Sequence, residues 1–386
     1  MSKRTTPGPE FASEKELSEF LLSNLNANLT QAIKGTVSVM IKQEMRTLRE
    51  ELNASWQFNG HYGRHLVSPA GKIENIPVPR FRSGNSGLPL QSTAIFAEEK
   101  ERFLQLVGEM HLAGISQRKI NRLCRQLFGK AVAPKTTKTV FAELIEQEAF
   151  QVNKTSLMDA PQQFLLLDGL WQKVKSERTG QVEDRVILTA LGMDEAGHKQ
   201  LLGFELAVAE DEASWRKLLD QLTKRGFNLA DINLITCDEA KGLLAALDRL
   251  IPDTPVQLCL THRYRNVLKY TPHRHKRAMG ADLKQLTASA DKEEFVSNVK
   301  DMQKRWQTVA PRAVKSLTRT PHLLTAYFAF PPHLWSKLRT TNALERTLRE
   351  IRSRTVVMQH QFASPQSAIN YHRASMGQLN QTYFAN

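Results

Sequence analysis

Cysteine is nearly absent: three residues in 386, at Cys124, Cys237 and Cys259. Three cannot build a disulfide framework, so a reducing cytosol is the expected setting. No apolar run approaches the roughly 18 to 20 residues that a membrane span needs. The opening MSKRTTPGPEFASEKE holds no apolar segment of signal-peptide type. Acidic residues are also in short supply, 39 Asp and Glu against 53 Lys and Arg, for a net charge of +14. A surplus of that size favours a polyanionic partner, most economically nucleic acid. What is present is ordinary, with 41% hydrophobic and 24% charged residues in a length suited to two or three domains.

Residues 13–56 repeat apolar positions at helical spacing (Leu17, Phe20, Leu21, Leu25, Leu29, then Val37, Met40, Ile41, Met45). A Gly/Pro/Asn-rich stretch over 59–87 then alternates Leu66, Ile73, Ile76 and Val78, as a hairpin would. Arg64, Lys72, Arg80 and Arg82 make it basic, which suits either a DNA-contacting arm or a solvated linker. Helical pattern resumes over 97–148. One helix spans 98–112 and stops at Gly114, Ser116 caps a second, and a third carries Val140, Leu144 and Ile145. The first turn of the third exposes Lys135, Thr136, Thr137 and Lys138, the kind of face a helix-turn-helix reader presents to DNA. A plain three-helix bundle would show the same apolar spacing.

At Gln163 the character changes to strand. FLLLDGLWQKVKS, DRVILTALGMD and KQLLGFELAVAE read as three consecutive strands. A helix capped by Ser214 and stopped by Gly226 follows. The strand INLITCD, the helix EAKGLLAALDRLI and the strand PVQLCLTH complete a β-β-β-α-β-α-β order. Residues 263–335 are mostly helical and basic, and TTNALERTLREIRSRT makes a late helix. The fold class is therefore α+β multidomain.

Three carboxylates occupy matched places in this order. Asp168 lies on the first strand, Asp238 closes the fourth, and Glu345 lies on the late helix. If strands one and four are neighbours, the two aspartates sit side by side with the helix of Glu345 across them. Clustered carboxylates repel one another and are suited to divalent cations. Local explanations also exist. Asp168-Gly169 is a hairpin-turn dipeptide, Asp238 precedes a helix as an N-cap would, and Glu345 stands at capping-box spacing from Asn342.

The segments LLLDGLWQKV, LITCDEAKGL, QLCLTHRYRNVL and TTNALERTLREIRSRT resemble those of Mutator-type transposases of the bacterial insertion-sequence branch. The upstream stretches NGHYGRHL and GISQRKINRLCRQLFGKAVAPKTT resemble the family's N-terminal DNA-binding region. The resemblance implies a ribonuclease-H-like mixed α/β catalytic domain with an all-helical insertion, and a DDE metal triad that falls on Asp168, Asp238 and Glu345. It places the family's C-x-x-H motif on Cys259 and His262, on the strand after the second aspartate, followed by Arg265 and Asn266. Glu239 departs from the pattern and adds a fourth carboxylate.

The implied layout is a helical region over 1–58 and a basic hairpin or linker over 59–95. A helix-turn-helix domain over 96–150 follows. The catalytic domain takes 160–265 and 336–386, with the insertion at 266–335. The implied activity is binding of terminal inverted repeats, then strand cleavage and transfer into target DNA. The cofactor would be two Mg2+ ions, for which Mn2+ can substitute. The partner is double-stranded DNA, engaged by a homodimer or larger assembly in a bacterial cytoplasm, at the nucleoid when DNA-bound, with no membrane. The alternatives are a related DDE nuclease or integrase and an inactive DNA-binding derivative.

Cys259-x-x-His262 is half of a zinc ligand set, and the other half is missing. His262 is expected to support the active site, with Cys259 in the core. The arginines around Glu345 (Arg339, Arg346, Arg349, Arg352, Arg354) suit phosphate contacts, although Arg349 has the spacing to pair with Glu345. Trp306 and Trp335 are either core or base-stacking residues.

Overall fold

The computed structural model describes residues 14–51, 57–68, 71–82, 90–128, 132–133, 135, 139–146, 155–160, 163–355 and 361–383. The chain divides into two compact units, Met1–Leu144 and Ile145–Asn386.

In the first unit a long helix α1 (Glu14–Glu51) precedes an antiparallel hairpin of β1 (Gln57–Ser68) and β2 (Gly71–Arg82). The alternation read in the sequence is the packing. Leu66, Ile73, Ile76 and Val78 are all buried, and they meet Val37 and Ile41 of α1. Two helices follow, α2 (Ile95–Leu112) and α3 (Gln117–Phe128). Gly114 breaks the chain between them at φ +83°. Ser116 Oγ accepts from the Lys119 amide at 3.4 Å, the expected cap. Residues 139–146 are helical, and Val140 and Leu144 lie close against α2, because a Cβ at Gly108 would come within 3.1 Å of Leu144 Cδ2. Lys135 is exposed, while Thr136, Thr137 and Lys138 fall outside the described residues. Among the described residues no helix is long and apolar enough to cross a membrane.

The second unit is a mixed sheet wrapped by helices. Its strands β3 (Phe164–Lys175), β4 (Val182–Met193) and β5 (Lys199–Ala207) are antiparallel. The turns between them use Gly180 at φ +68° and Gly197 at φ +88°, backbone that glycine adopts without a Cβ clash. Helix α4 (Glu212–Lys224) leads to β6 (Leu234–Cys237), and α5 (Lys241–Leu250) leads to β7 (Val256–Leu258). The strand order is β5-β4-β3-β6-β7, and β6 and β7 run parallel to β3. Strands one and four of the reading are indeed neighbours.

Beyond β7 come α6 (Leu260–Lys269), α7 (Lys276–Thr287), α8 (Lys292–Trp306), α9 (Pro311–Thr318) and α10 (Pro332–Leu338). Then follow α11 (Asn342–Arg354), a two-residue strand β8 (Gln361–Phe362) and α12 (Pro365–Tyr383). β8 pairs with β3 in parallel at Lys173 and Val174, far along the strand from β6. Strand alternation sends neighbouring residues to opposite faces. Gly203 and Glu205 of β5 accordingly meet α4, while Phe204 meets His372 of α12.

Two local expectations need correction. Ser214 is not the cap of α4. Asp211 is, its carboxylate accepting from the Ser214 amide at 2.8 Å, so the helix starts at Glu212. The segment PVQLCLTH is strand only to Leu258, and Cys259 is the N-cap residue of α6. Cys259 and His262 therefore lie at a helix start and not on a strand. Leu258, Cys259 and Leu260 are all buried, and a short apolar run does not distinguish a strand from the start of a buried helix.

Candidate active site

The local explanations of the three carboxylates fail. β3 passes straight through Asp168-Gly169 to Lys175, so there is no turn. Asp238 caps nothing. The residue before α5 is Ala240, without a side-chain cap bond, and Asp238 Oδ1 accepts from the Glu239 amide at 2.6 Å. The N-cap position of α11 is Thr341, and no side-chain cap bond is made there.

The sheet brings the aspartates together. Leu167 of β3 is registered with Cys237, the last residue of β6, so Asp168 is the next residue on β3 and Asp238 the first beyond β6. The apolar run before Asp168 is buried on both faces, Phe164 to Leu167 being at most 1% exposed. Beyond Cys237 β6 has ended. The Gly169 amide then donates to Asp168 Oδ1 at 2.8 Å.

Glu345 arrives from α11, whose start is tied to the strands by bonds across long sequence separations. Thr236 Oγ1 donates to the Leu338 carbonyl at 2.6 Å, and the Leu260 amide to the Arg339 carbonyl at 3.0 Å. Cys259 Sγ accepts from the Thr341 amide at 3.3 Å and its hydroxyl at 3.4 Å. These bonds hold the first turn of α11 over the ends of β6 and β7.

His262 sits between the acids. Its Nε2 is 3.3 Å from Glu345 Oε1 and its Nδ1 is 4.0 Å from Asp238 Oδ1. These are ion-pair contacts only, since Glu345 Oε1 and His262 Nδ1 lack a hydrogen-bond partner in good geometry. The hydrogen bond with Cys259 raises the His262 pKa to about 9, with the charges of Asp238 and Asp168 adding to it against burial. Burial pushes the Cys259 thiol up, but hydrogen bonds from His262 and Thr341 outweigh it and leave the thiol below its ordinary value. Asp168 is pushed up to about 6, chiefly by burial, with Glu345 and Asp238 adding to the rise against His262 and the Gly169 amide. A cluster of acids with one carboxylate so disfavoured and another with an orphaned oxygen is short of positive charge. Its hard oxygen donors fit a divalent cation such as Mg2+.

A tighter set of potential ligand atoms exists, from Cys259, His262 and Glu345, all within 4.8 Å. The sulfur accepts from the Thr341 amide and hydroxyl, so the trio also braces the start of the helix that carries Glu345.

Glu239 does not crowd the acids. Arg263, itself 2% exposed, contacts it at 3.0 Å and Arg319 pairs with it from the far end of α9. The additional acid is Glu210, which the reading had placed at the end of a strand. β5 stops at Ala207, and the Glu210 carboxylate reaches Gly169, where a Cβ would lie 2.5 Å from its Oε1. Burial raises its pKa, and the nearby charge of Asp238 raises it further. The signal that could have found it was the acidic run AEDE before α4, which reads as capping.

Arg265 is 3.5 Å from Glu345, whereas Arg346, Arg349 and Arg352 lie exposed along α11. Arg339 and Arg354 are spent on structure, donating to Thr287 and to Gln378. Trp306 and Trp335 donate their indole N–H groups to Asp282 and to the Phe330 carbonyl, each at 2.6 Å, and are packing residues.

This architecture has relatives. The chain is 30% identical over 319 residues to the transposase for insertion sequence element ISRM5 of Rhizobium meliloti, covering 82% of this chain and 77% of that one. It is 25% identical over 356 residues to the transposase for insertion sequence element IS905 of Lactococcus lactis, covering 92% and 88%. The transposase for element IS1081 of Mycobacterium tuberculosis is 29% identical over 303 residues, covering 78% and 71%. The model of the transposase Mutator family matches residues 10–385. With that match over nearly its whole length, the chain belongs to the Mutator family of transposases.

Proposed function

We propose that this transposase binds the terminal inverted repeats of its element and catalyses metal-dependent strand cleavage and strand transfer. The observation that carries the reading is the convergence of Asp168, Asp238 and Glu345 from β3, the end of β6 and α11 upon one imidazole. Asp168, Asp238 and Glu345 are the ligands. Two Mg2+ ions held there would supply an activated oxygen nucleophile and neutralise the leaving oxygen. Water attacks the scissile phosphorus, the bond to the 3′-oxygen breaks, and the freed 3′-hydroxyl then attacks a target phosphodiester.

The protein's own groups set this up. The protonated His262 holds Glu345 and Asp238 apart and offers positive charge beside them. Arg265 braces Glu345 and is 60% exposed, available to a phosphate. Arg346, Arg349 and Arg352 extend a basic stripe from the site. Support for a ribonuclease-H-like domain over 160–265 and 336–386 comes from three antiparallel strands followed by parallel β6 and β7, with the helical insertion at 266–335. Support for a helix-turn-helix reader over 96–150, with helical and hairpin segments at 1–58 and 59–95, comes from the helices α2 and α3 joined by a tight turn at Gly114. Pairing of two element ends calls for a homodimer or larger assembly on DNA, in the cytoplasm.

The test uses a plasmid carrying the repeats that flank this gene, incubated with Mg2+ or Mn2+ and either the native protein or Asp168→Asn. Cleavage by the native protein alone is expected. Equal cleavage by both, or by neither in any metal, sinks the triad.

A further inference from the structure

Glu239 turns from the acids to Arg263 and Arg319, and Arg319 also lines a cavity of about 330 Å³. Asn266, along α6, and Tyr270, at its end, form one wall. Arg312, Lys315 and Ser316 of α9 form the other, with Arg319 just past its last turn. The spacing makes this a built face. Positions 312, 315, 316 and 319 recur at three and four residues, a single stripe of a helix. Ala313, Val314 and Leu317 are buried on its other side. Asn266 and Tyr270 stand four and eight residues after His262, on the face of α6 that begins at the acids. At the usual helical rise they lie about 6 and 12 Å along the axis from His262.

Arg263, Arg312, Lys315 and Arg319 meet here, and among the described residues the carboxylate paired with any of them is Glu239. Arg319 grips it as a fork, from Nε at 3.1 Å and from Nη2. Two parallel contacts fix the guanidinium plane and leave its other N–H groups to the cavity. The buried Arg263 is held behind it by the Ser316 carbonyl and by Thr320 Oγ1 at 2.8 Å. Arg312 lies over the Tyr270 ring, 4.8 Å from its centroid, so the ring in this lining already serves a cation. Lys315 is exposed, with no carboxylate partner among the described residues. Three cations, an amide and a hydroxyl around one cavity suit a phosphate, and the polyanion a transposase handles is the DNA backbone. The cavity is also linked to the acids through one residue. The Glu239 amide donates to Asp238 Oδ1 at 2.6 Å while its side chain holds Arg319. A phosphate that immobilises Arg319 therefore steadies the peptide that aims the Asp238 carboxylate.

We propose that this cavity clamps one DNA backbone phosphate within about four nucleotides of the scissile one, and that Glu239 is the positioning residue that transmits the clamp to Asp238. The inference rests on the strand-cleavage reading above. It makes full assembly of the metal site depend on an end seated in the correct register.

The experiment uses full-length protein and terminal-repeat duplexes, each carrying a single neutral methylphosphonate at a different position around the cleavage site. Binding is read in Ca2+ and cleavage in Mg2+. With native protein, one position within that distance is expected to weaken binding about tenfold, the size of a lost charged hydrogen bond. Lys315→Ala and Arg312→Ala should each bind unmodified DNA more weakly, with a salt slope lower by about one. In both, the sensitive position should lose its effect, and their thermal melts should stay native because the side chains are exposed. Glu239→Gln keeps the shape and should act on the metal instead. It is expected to need about tenfold more Mg2+ for half-maximal cleavage, the usual cost of losing a group behind a metal ligand, at near-native affinity for the repeat. A methylphosphonate scan that is the same in native protein, Lys315→Ala and Arg312→Ala would overturn the clamp. A native Mg2+ requirement in Glu239→Gln would overturn the link to Asp238. A Lys315-dependent sensitive position without any cleavage by native protein would keep the clamp and remove the catalytic reading.

Discussion

Along β3 the sheet changes character at one residue. From Phe164 to Leu167 the strand lies between β4 and β6, and its side chains are buried on both faces. From Asp168 to Gln172 it keeps β4, no second neighbour is found among the described residues, and its side chains are half-buried or exposed. The closed half supplies rigidity, and in the half that follows the side chains are less buried. Asp168 stands at the junction, anchored by the first and itself half-buried. A carboxylate one residue earlier would be sealed in the core at a cost of several kcal/mol.

The sharpest way to break this comparison is to remove charge at the junction. Asp168→Asn and Glu345→Gln are each expected to lower strand cleavage by about a thousandfold or more while leaving the fold intact, since preorganised charge at a reacting centre is worth that order. Gel analysis of plasmid cleavage, with circular dichroism as the control, reads both. Truncation in the two halves should then separate them by stability. Leu166→Ala in the closed half is expected to cost about 3 kcal/mol in chemical denaturation, and the half-buried Leu170→Ala a smaller amount, about 1 kcal/mol. Equal losses would mean that the two halves are packed alike.

The junction also predicts a pH effect in metal-free protein. The Asp168 carboxyl titrates near 6 in the fold, against 3.8 in the unfolded chain. Below about pH 3 both states are largely protonated and the group contributes almost nothing. As pH rises through 4 to 6 the unfolded state ionises first, so the fold loses stability and stays penalised above 6. Asp168→Asn should therefore be more stable than native at pH 7 in chelator, by about 3 kcal/mol, and nearly equal to it at about pH 3. Divalent metal should close the difference by stabilising the native protein alone. The smallest effect concerns the brace. Cys259→Ala deprives the buried Thr341 amide of its acceptor and is expected to cost about 1 kcal/mol, with a fall in cleavage as the first turn of α11 loosens. Cys259→Ser should cost less.

Much of the frame was legible because the relevant patterns are local. Alternation at Leu66, Ile73, Ile76 and Val78 is a strand signature, and each of those residues is buried. The β-β-β-α-β-α-β order follows from turn residues and apolar runs, and three acids at strand ends and on a late helix stood out against it. The errors were equally physical. Cys259 and His262 sat in an apolar run too short to show a period, so a helix start passed for strand. Ser214 and Asp211 are both capping residues three apart, and only the backbone decides which one caps. Glu210 was read as the end of a strand, because no local pattern announces that a loop residue reaches back to Gly169.

By itself the sequence determined the elements, the basic surplus and the identity of the acids, since propensity, periodicity and charge are properties of neighbouring residues. The tertiary structure alone decided which acids meet. Asp168 and Asp238 became partners through the parallel pairing of β3 with β6, and Glu345 joined them through bonds such as Thr236 to Leu338. Glu239 was withdrawn by Arg263 and Arg319, and Glu210 was drawn in. Those outcomes depend on contacts between residues tens to more than a hundred positions apart, which no local pattern encodes.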